Sequence, residues 1–357
     1  IMVYFLNFLA VIVYYVIIKI CKKRNNKKLF FIILSIHAIL FRVLSNPYNY
    51  VDTLVYANAF ENIATSSLKD TLSSTATYID WGIGYVLLNW IIGQFSHNPQ
   101  VMFAIMAVIG ILPVMFFYYK NSYTSLLPVV IYLIYPMFYY MGFGVLRQHI
   151  AIGFVMLALY YFDNKKLSIG WALLALSFHT SSCVFFPFYV WRRLNREGRN
   201  VWKSILLIIV VVVMLKFLMG KILLSMDRYQ HYYGVATTEN NVVPVAFLGS
   251  YLLVVWYTKV HRKLNSTLDT NLLNFIQYGF ALAIVGIGTY GMGRMTLCFM
   301  YALPPAITLL NKYNRNKPLV ALYKIVVLAL VVYILIGTYN NHPYAYSFFW
   351  ENVVRTW

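Results

Sequence analysis

Acidic residues are scarce in this chain: its 357 residues include ten Asp and Glu, and charged residues of all kinds make up 11%. A water-soluble domain is about 25% charged and roughly 45–50% apolar. Here 61% of residues are apolar, so a surface exposed to water throughout is excluded. Cysteine is nearly absent too. Cys21, Cys183 and Cys298 are not spaced as pairs, which gives neither a disulfide framework nor a zinc ligand set. There is no serine-centred elbow, HExxH helix, Walker loop or dinucleotide glycine fingerprint, so the chemistries those motifs serve have no support. Strand-length alternating segments do not occur in series, which disfavours a membrane barrel.

What the chain does have is apolar runs of about 17–25 residues recurring from end to end, each able to cross a roughly 30 Å hydrocarbon core as a helix. The expected fold class is an all-α polytopic membrane protein, with residues 1–357 forming a single integral membrane domain. The opening run, IMVYFLNFLAVIVYYVIIKI, has no basic stretch before it and no small-residue cleavage site after it, so it reads as a retained span. The formal charge of +19 raises nucleic acid as a partner. Basic residues in a membrane protein instead mark cytoplasmic loops, and anionic lipid headgroups satisfy the attraction. Membrane lipid is therefore the expected partner, and nucleic acid is not.

Basic clusters fall at 19–28, at Lys120, at Lys165 and Lys166, and at 192–203, 259–263 and 312–324. The positive-inside rule assigns all of them to the cytoplasm. Strict up-and-down counting fails this, because it puts Lys120, Lys165 and Lys166 outside. Two runs resolve the conflict if they are re-entrant. The run 81–95 is too short to span and lies between polar segments. The run 167–190 joins two basic clusters and is interrupted by His179, Thr180, Ser181 and Ser182, as a broken helical pair buried in protein would be. About ten full spans then remain, with both termini outside and most basic residues inside. Three long outer segments result: 45–100, 220–243 and 337–357. They are rich in Tyr and Trp, which suit either an interfacial aromatic belt or a sugar-binding cleft.

Two arginines stand where a charge is costly. Arg147 follows a Gly-Phe-Gly stretch and precedes an apolar helix, and Arg294 stands likewise after Gly293. Both are at N-terminal ends of helices descending from the outer face, where free N–H groups and a guanidinium together suit phosphate oxygens. Two such sites suggest a diphosphate, with Gln148 extending the first; the bland alternative is an arginine that snorkels or pairs with an acid such as Asp52. His149 lies on a different helical face from Arg147 and reads as a packing or hydrogen-bonding residue. His179, at the helical break, fits structure and substrate contact equally. Asp52 shares a helical face with Tyr56 and Ala59, so its carboxylate can point inward under aromatic cover and accept a proton from a sugar hydroxyl. Asp80 is the alternative base. The outer acids lack metal-ligand spacing, so no metal and no cofactor is expected.

The order Asp52-x-x-x-Tyr56, Gly84-Tyr85-x-x-Leu88-Asn89, GVLRQHIA ending at Ala151, LSFHTSS, Arg228-Tyr229 and Arg294 resembles the EpsG-type branch of the bacterial Wzy polysaccharide polymerases. The resemblance runs from about residue 40 to residue 310. It implies a GT-C-like inner-membrane glycosyltransferase that makes O-antigen, capsule or exopolysaccharide at the periplasmic face. Such an enzyme moves a growing glycan from undecaprenyl diphosphate to the non-reducing end of an incoming lipid-linked oligosaccharide. Arg147, Gln148 and Arg294 would hold diphosphate, and Tyr56, His179, Arg228 and Tyr229 would contact substrate. A chain-length regulator and a flippase of the same pathway are the implied protein partners. In one departure, Gly82-Ile83 stand where many relatives carry an acid before the Gly-Tyr step, which leaves the base open between Asp52 and Asp80. The competing readings are a lipid-linked oligosaccharide flippase or transporter, and another GT-C enzyme such as an O-antigen ligase; no inverted repeat supports the former.

Overall fold

A computed structural model describes residues 2–20, 26–46, 51–73, 81–122, 126–196, 200–225, 242–287, 292–314, 316–341 and 346–351. Hydrocarbon offers the backbone no hydrogen bonds, and most of the described residues satisfy theirs within helices. In chain order these are α1 (Met2–Ile20), α2 (Asn26–Val43), α3 (Val51–Thr65), α4 (Leu68–Ser73), α5 (Ile83–Gly93), α6 (Pro99–Asn121), α7 (Leu127–Ile134), α8 (Met141–Gly144), α9 (Leu146–Tyr160), α10 (Lys165–Phe178), α11 (Phe186–Leu194), α12 (Val201–Ser225), α13 (Val242–Tyr257), α14 (Thr267–Val285), α15 (Met292–Tyr313) and α16 (Lys317–Asn341). Four segments among the described residues are long and apolar enough to cross a membrane: Pro99–Asn121, Val201–Leu218, Gly293–Tyr313 and Lys317–Thr338.

Burial separates core from shell. Only 11% of the α12 segment is buried, against 83% of the α15 segment. A helix apolar on all sides with exposed Leu206, Val213 and Phe217 is suited to face lipid. At the centre, α9 is buried along nearly its whole length. Glycines bring it against α6: a Cβ on Gly153 would stand 3.2 Å from the Gly110 carbonyl oxygen, and one on Gly110 would stand 2.8 Å from His149 Cδ2. Small residues at helix contacts allow this approach in membranes, where apolar side chains gain little by leaving lipid for each other.

Contacts between helix ends give the bundle two faces. At one end the Gln100 amide donates to the carbonyls of Val43 and Ser45, so α2 finishes where α6 begins. Residues 346–351 return to the same place: the Asn46 N–H donates to the Ser347 carbonyl at 2.8 Å, and the Tyr346 ring stacks on Phe41 at 4.5 Å. At the other end Lys312 pairs with Asp269 at 2.8 Å, while Thr267 and Asn271 donate to Asp163. Thr308 donates to the Asn121 carbonyl at 3.2 Å. Lys120, Lys165, Lys166 and Lys312 therefore share one end, opposite Arg42.

Two elements depart from the sequence reading. The run after residue 126 is a broken passage: α7 has 8 residues, and Tyr135 turns extended (φ −80°, ψ 119°) ahead of Pro136, which disfavours helix at the residue before it. The irregular stretch that follows is buried, and its Phe138 carbonyl accepts the Tyr301 hydroxyl at 2.9 Å. The expected helical pair in 167–190 is formed by α10 and α11, joined by a 3-10 turn over Thr180–Phe185. It is not wholly enclosed, because Leu167, Ile169 and Leu173 face outward.

Candidate functional site

Helix α9 starts at Leu146 after Val145, and no side chain caps it. Its second residue, Arg147, lies over aromatic rings supplied by α3 and by the segment that opens α5. The guanidinium carbon is 5.2 Å from the Trp81 ring centre and 5.8 Å from that of Tyr56, and Nε is 3.5 Å from the Tyr56 hydroxyl. Tyr85 completes the cluster at 5.8 Å from Tyr56 and 6.0 Å from Trp81. A cation over ring faces is attracted by their quadrupoles while keeping its N–H donors for other partners.

The second arginine comes to the same place. Gln148, only 1% exposed, donates through Nε2 to the Arg294 carbonyl at 2.6 Å. The N-terminal turns of α9 and α15 are thus tied together, and the Arg294 side chain is exposed. Gln148 spends its N–H on this brace, which places it between the arginines as a tie.

His179 ends α10 in extended conformation (φ −155°, ψ 128°). Its Nδ1 accepts the Ser181 N–H at 3.2 Å and lies 2.7 Å from the Ser181 hydroxyl. That assigns the remaining ring proton to Nε2. The positive charges of Arg147 and Arg294 act on this ring, whose remaining donor is the Nε2–H. Its position is set by glycine: a Cβ on Gly82 (φ +80°) would lie 2.4 Å from the Ser177 carbonyl oxygen, and one on Gly84 would lie 2.2 Å from Ser177 Oγ. Without Cβ atoms, the start of α5 seats the tip of α10.

The structure thus brings Arg147, Gln148, Arg294, His179 and Tyr56 together. Asp52 stands apart from the expected picture. It lies in the first turn of α3 and is exposed, and the ring expected to cover it, Tyr56, lies against Arg147 instead. The inward, dry carboxylate is corrected to an exposed one. Spacing placed Asp52 and Tyr56 on one face but could not tell which side chain the neighbouring elements would cover. Asp80, Arg228 and Tyr229 lie outside the described residues.

Beneath the site is a buried polar layer that sequence reading found only in part. His149 hydrogen-bonds through Nδ1 to the Tyr301 hydroxyl at 3.0 Å and through Nε2 to that of Tyr132 at 3.2 Å. Arg42, 5% exposed, approaches the Phe143 ring at 5.3 Å. The available signal was Gly142: a Cβ there would lie 2.5 Å from Arg42 Nη1 and 2.9 Å from His149 Nδ1.

Chemically the assembled groups are hydrogen-bond donors, two of them cationic, at the ends of two helices. They suit an anion with several oxygens, with aromatic faces alongside for a sugar ring. No curated protein and no solved structure matches the chain. The family model described as EpsG family matches residues 36–350.

Proposed function

The chain belongs to the EpsG family, a Wzy-like polysaccharide polymerase family, and from that premise we propose that it joins lipid-linked oligosaccharide repeat units on the outer side of the bacterial inner membrane. In this reading the passages of the bundle amount to about ten spans of a GT-C-like fold, with the α10–α11 pair and α5 re-entrant. The basic end is cytoplasmic and the arginine end faces the periplasm, as the positive-inside rule requires.

The donor is a growing glycan on undecaprenyl diphosphate. Its anomeric carbon–oxygen bond to the diphosphate breaks, and a hydroxyl at the non-reducing end of the incoming unit forms the new bond. The hydroxyl proton passes to a carboxylate, for which Asp52 and Asp80 are the candidates. Arg147 and Arg294 neutralise the charge that grows on the departing diphosphate, the His179 Nε2–H donates to the same group, and Gln148 fixes the spacing of the two helix ends. Tyr56 and Trp81 hold Arg147 in place, and the half-buried Trp81 ring is the one of the two that can meet the sugar. Arg228 and Tyr229 are further candidates for substrate contact. A flippase of the same pathway would deliver the lipid-linked units before this step, and a chain-length regulator would limit how often it repeats.

The observation that carries the proposal is the Gln148 bond to the Arg294 carbonyl, which ties two arginine-bearing helix N-termini together, as one shared anion site requires. Chain-length distribution in cells lacking their native polymerase tests it. Wild-type protein should restore long glycan, and Arg147→Ala and Arg294→Ala should each leave single repeat units at normal protein abundance. Full-length glycan from either variant removes that arginine from the site.

A further inference from the structure

A second feature lies at the opposite, basic end of the bundle. Between α2 and α6 runs an apolar groove of about 460 Å³, open on its outer side and lined by Phe31, Ile32, Ile36, Ile39, Leu112 and Met115. Ser35 along it already donates to the Phe31 carbonyl at 2.6 Å, and the other hydroxyl of the lining belongs to Tyr119 at the mouth, so the length of the groove is apolar. Residues 28 to 39 rise about 16 Å along the α2 axis, close to the roughly 15 Å depth of one hydrocarbon leaflet.

The mouth of this groove is cationic. Lys28 lines it, and Tyr119 at its edge carries two ammonium groups, with Lys27 Nζ at 5.0 Å from the ring centre and Lys120 Nζ at 5.9 Å. The two like charges repel each other across one ring. Among the described residues no carboxylate forms an ion pair with Lys27, Lys28 or Lys120. A lone apolar face would be satisfied by any lipid tail. Three ammonium groups at the end of a leaflet-deep groove call for an amphiphile whose head is anionic.

We propose that this groove is a binding site for an anionic phospholipid of the cytoplasmic leaflet, with its phosphate held by Lys27, Lys28 and Lys120 and one acyl chain between α2 and α6. Basic pockets between membrane helices on the cytoplasmic side bind such headgroups. The source follows from position: the mouth lies at the end that carries Lys165 and Lys312, across the bundle from Arg147 and Arg294. A lipid-linked diphosphate engaged by those arginines is therefore a different molecule from the one in this groove.

Native mass spectrometry of the full chain tests the site without reference to polymerase activity. Protein is incubated in detergent with equal phosphatidylglycerol and phosphatidylcholine, and the retained adducts are counted. Wild type should keep one phosphatidylglycerol in preference to phosphatidylcholine. Lys27→Gln with Lys120→Gln should weaken that retention about thirtyfold, as expected for two near-surface lysines. Ile36→Trp, at an exposed lining position, keeps the charges but fills the groove, and should also abolish the preference. Equal retention of the two lipids by wild type, or retention unchanged in both variants, overturns the proposal. Displacement of phosphatidylglycerol by a polyprenyl phosphate overturns the assignment to a phospholipid.

Discussion

At the scale of single residues, the chain places guanidinium groups where an apolar environment makes them costly, and aromatic faces and helix ends offset that cost. Arg147 is held in orientation over Trp81 and Tyr56. Lysine at this position keeps the charge but not the planar fork, so Arg147→Lys should retain only a small part of the activity. Alanine at either arginine should cost roughly 10²–10³ in turnover, the loss seen when a donor to a developing negative charge is removed. The double alanine variant should be little slower than the worse single variant, because half a clamp already fails; additive losses would show that the two arginines serve separate ligands. The arginines were legible in sequence because a charge stands out in an apolar run. Their meeting was not, since 146 residues separate Gln148 from Arg294 and only folding brings them together.

At the scale of elements, the site depends on how the tip of α10 seats on the start of α5. Gly82 combines a positive φ with a carbonyl oxygen 2.4 Å from where a Cβ would stand, so alanine there is strained in its own backbone and also clashes. Gly82→Ala should destabilise by about 1–3 kcal/mol, as overpacking does, and should reduce activity by displacing His179. Unchanged melting and unchanged activity would show that the contact does not matter. The polar break at His179 to Ser182 was visible in sequence, because four such residues in succession cannot continue a lipid-facing helix. The break at Tyr135–Pro136 escaped notice, since the surrounding run is as apolar as any span and only the proline marked it. The arrangement of Tyr56, Trp81 and Tyr85 was equally hidden: composition cannot separate rings of an interfacial belt from rings under a guanidinium.

At the scale of the whole molecule, apolar content alone revealed a membrane protein, and basic residues scattered through the sequence, Lys120, Lys165, Lys166 and Lys312, meet at one end of the bundle. Helix length in the structure is less regular than the sequence suggested, with four segments long and apolar enough to span by themselves among the described residues. The shorter and broken passages work because neighbours, not lipid, surround their backbone. Cysteine labelling at Lys165 or Lys166, in a variant without native cysteines, should report from the cytoplasm; reaction from the periplasm alone would contradict the re-entrant α10–α11 pair. If Arg147 and Arg294 neutralise the diphosphate as proposed, activity should survive EDTA, and a loss restored by magnesium or manganese would contradict that. The most direct measurement feeds purified protein a synthetic undecaprenyl-diphosphate-linked repeat unit and follows both glycan length and carrier release. A polymerase that works by releasing diphosphate should give lipid-linked chains of two or more repeats, with one carrier diphosphate freed for each bond formed. Vesicle translocation of the lipid without new glycosidic bonds would contradict the account and identify a transporter instead.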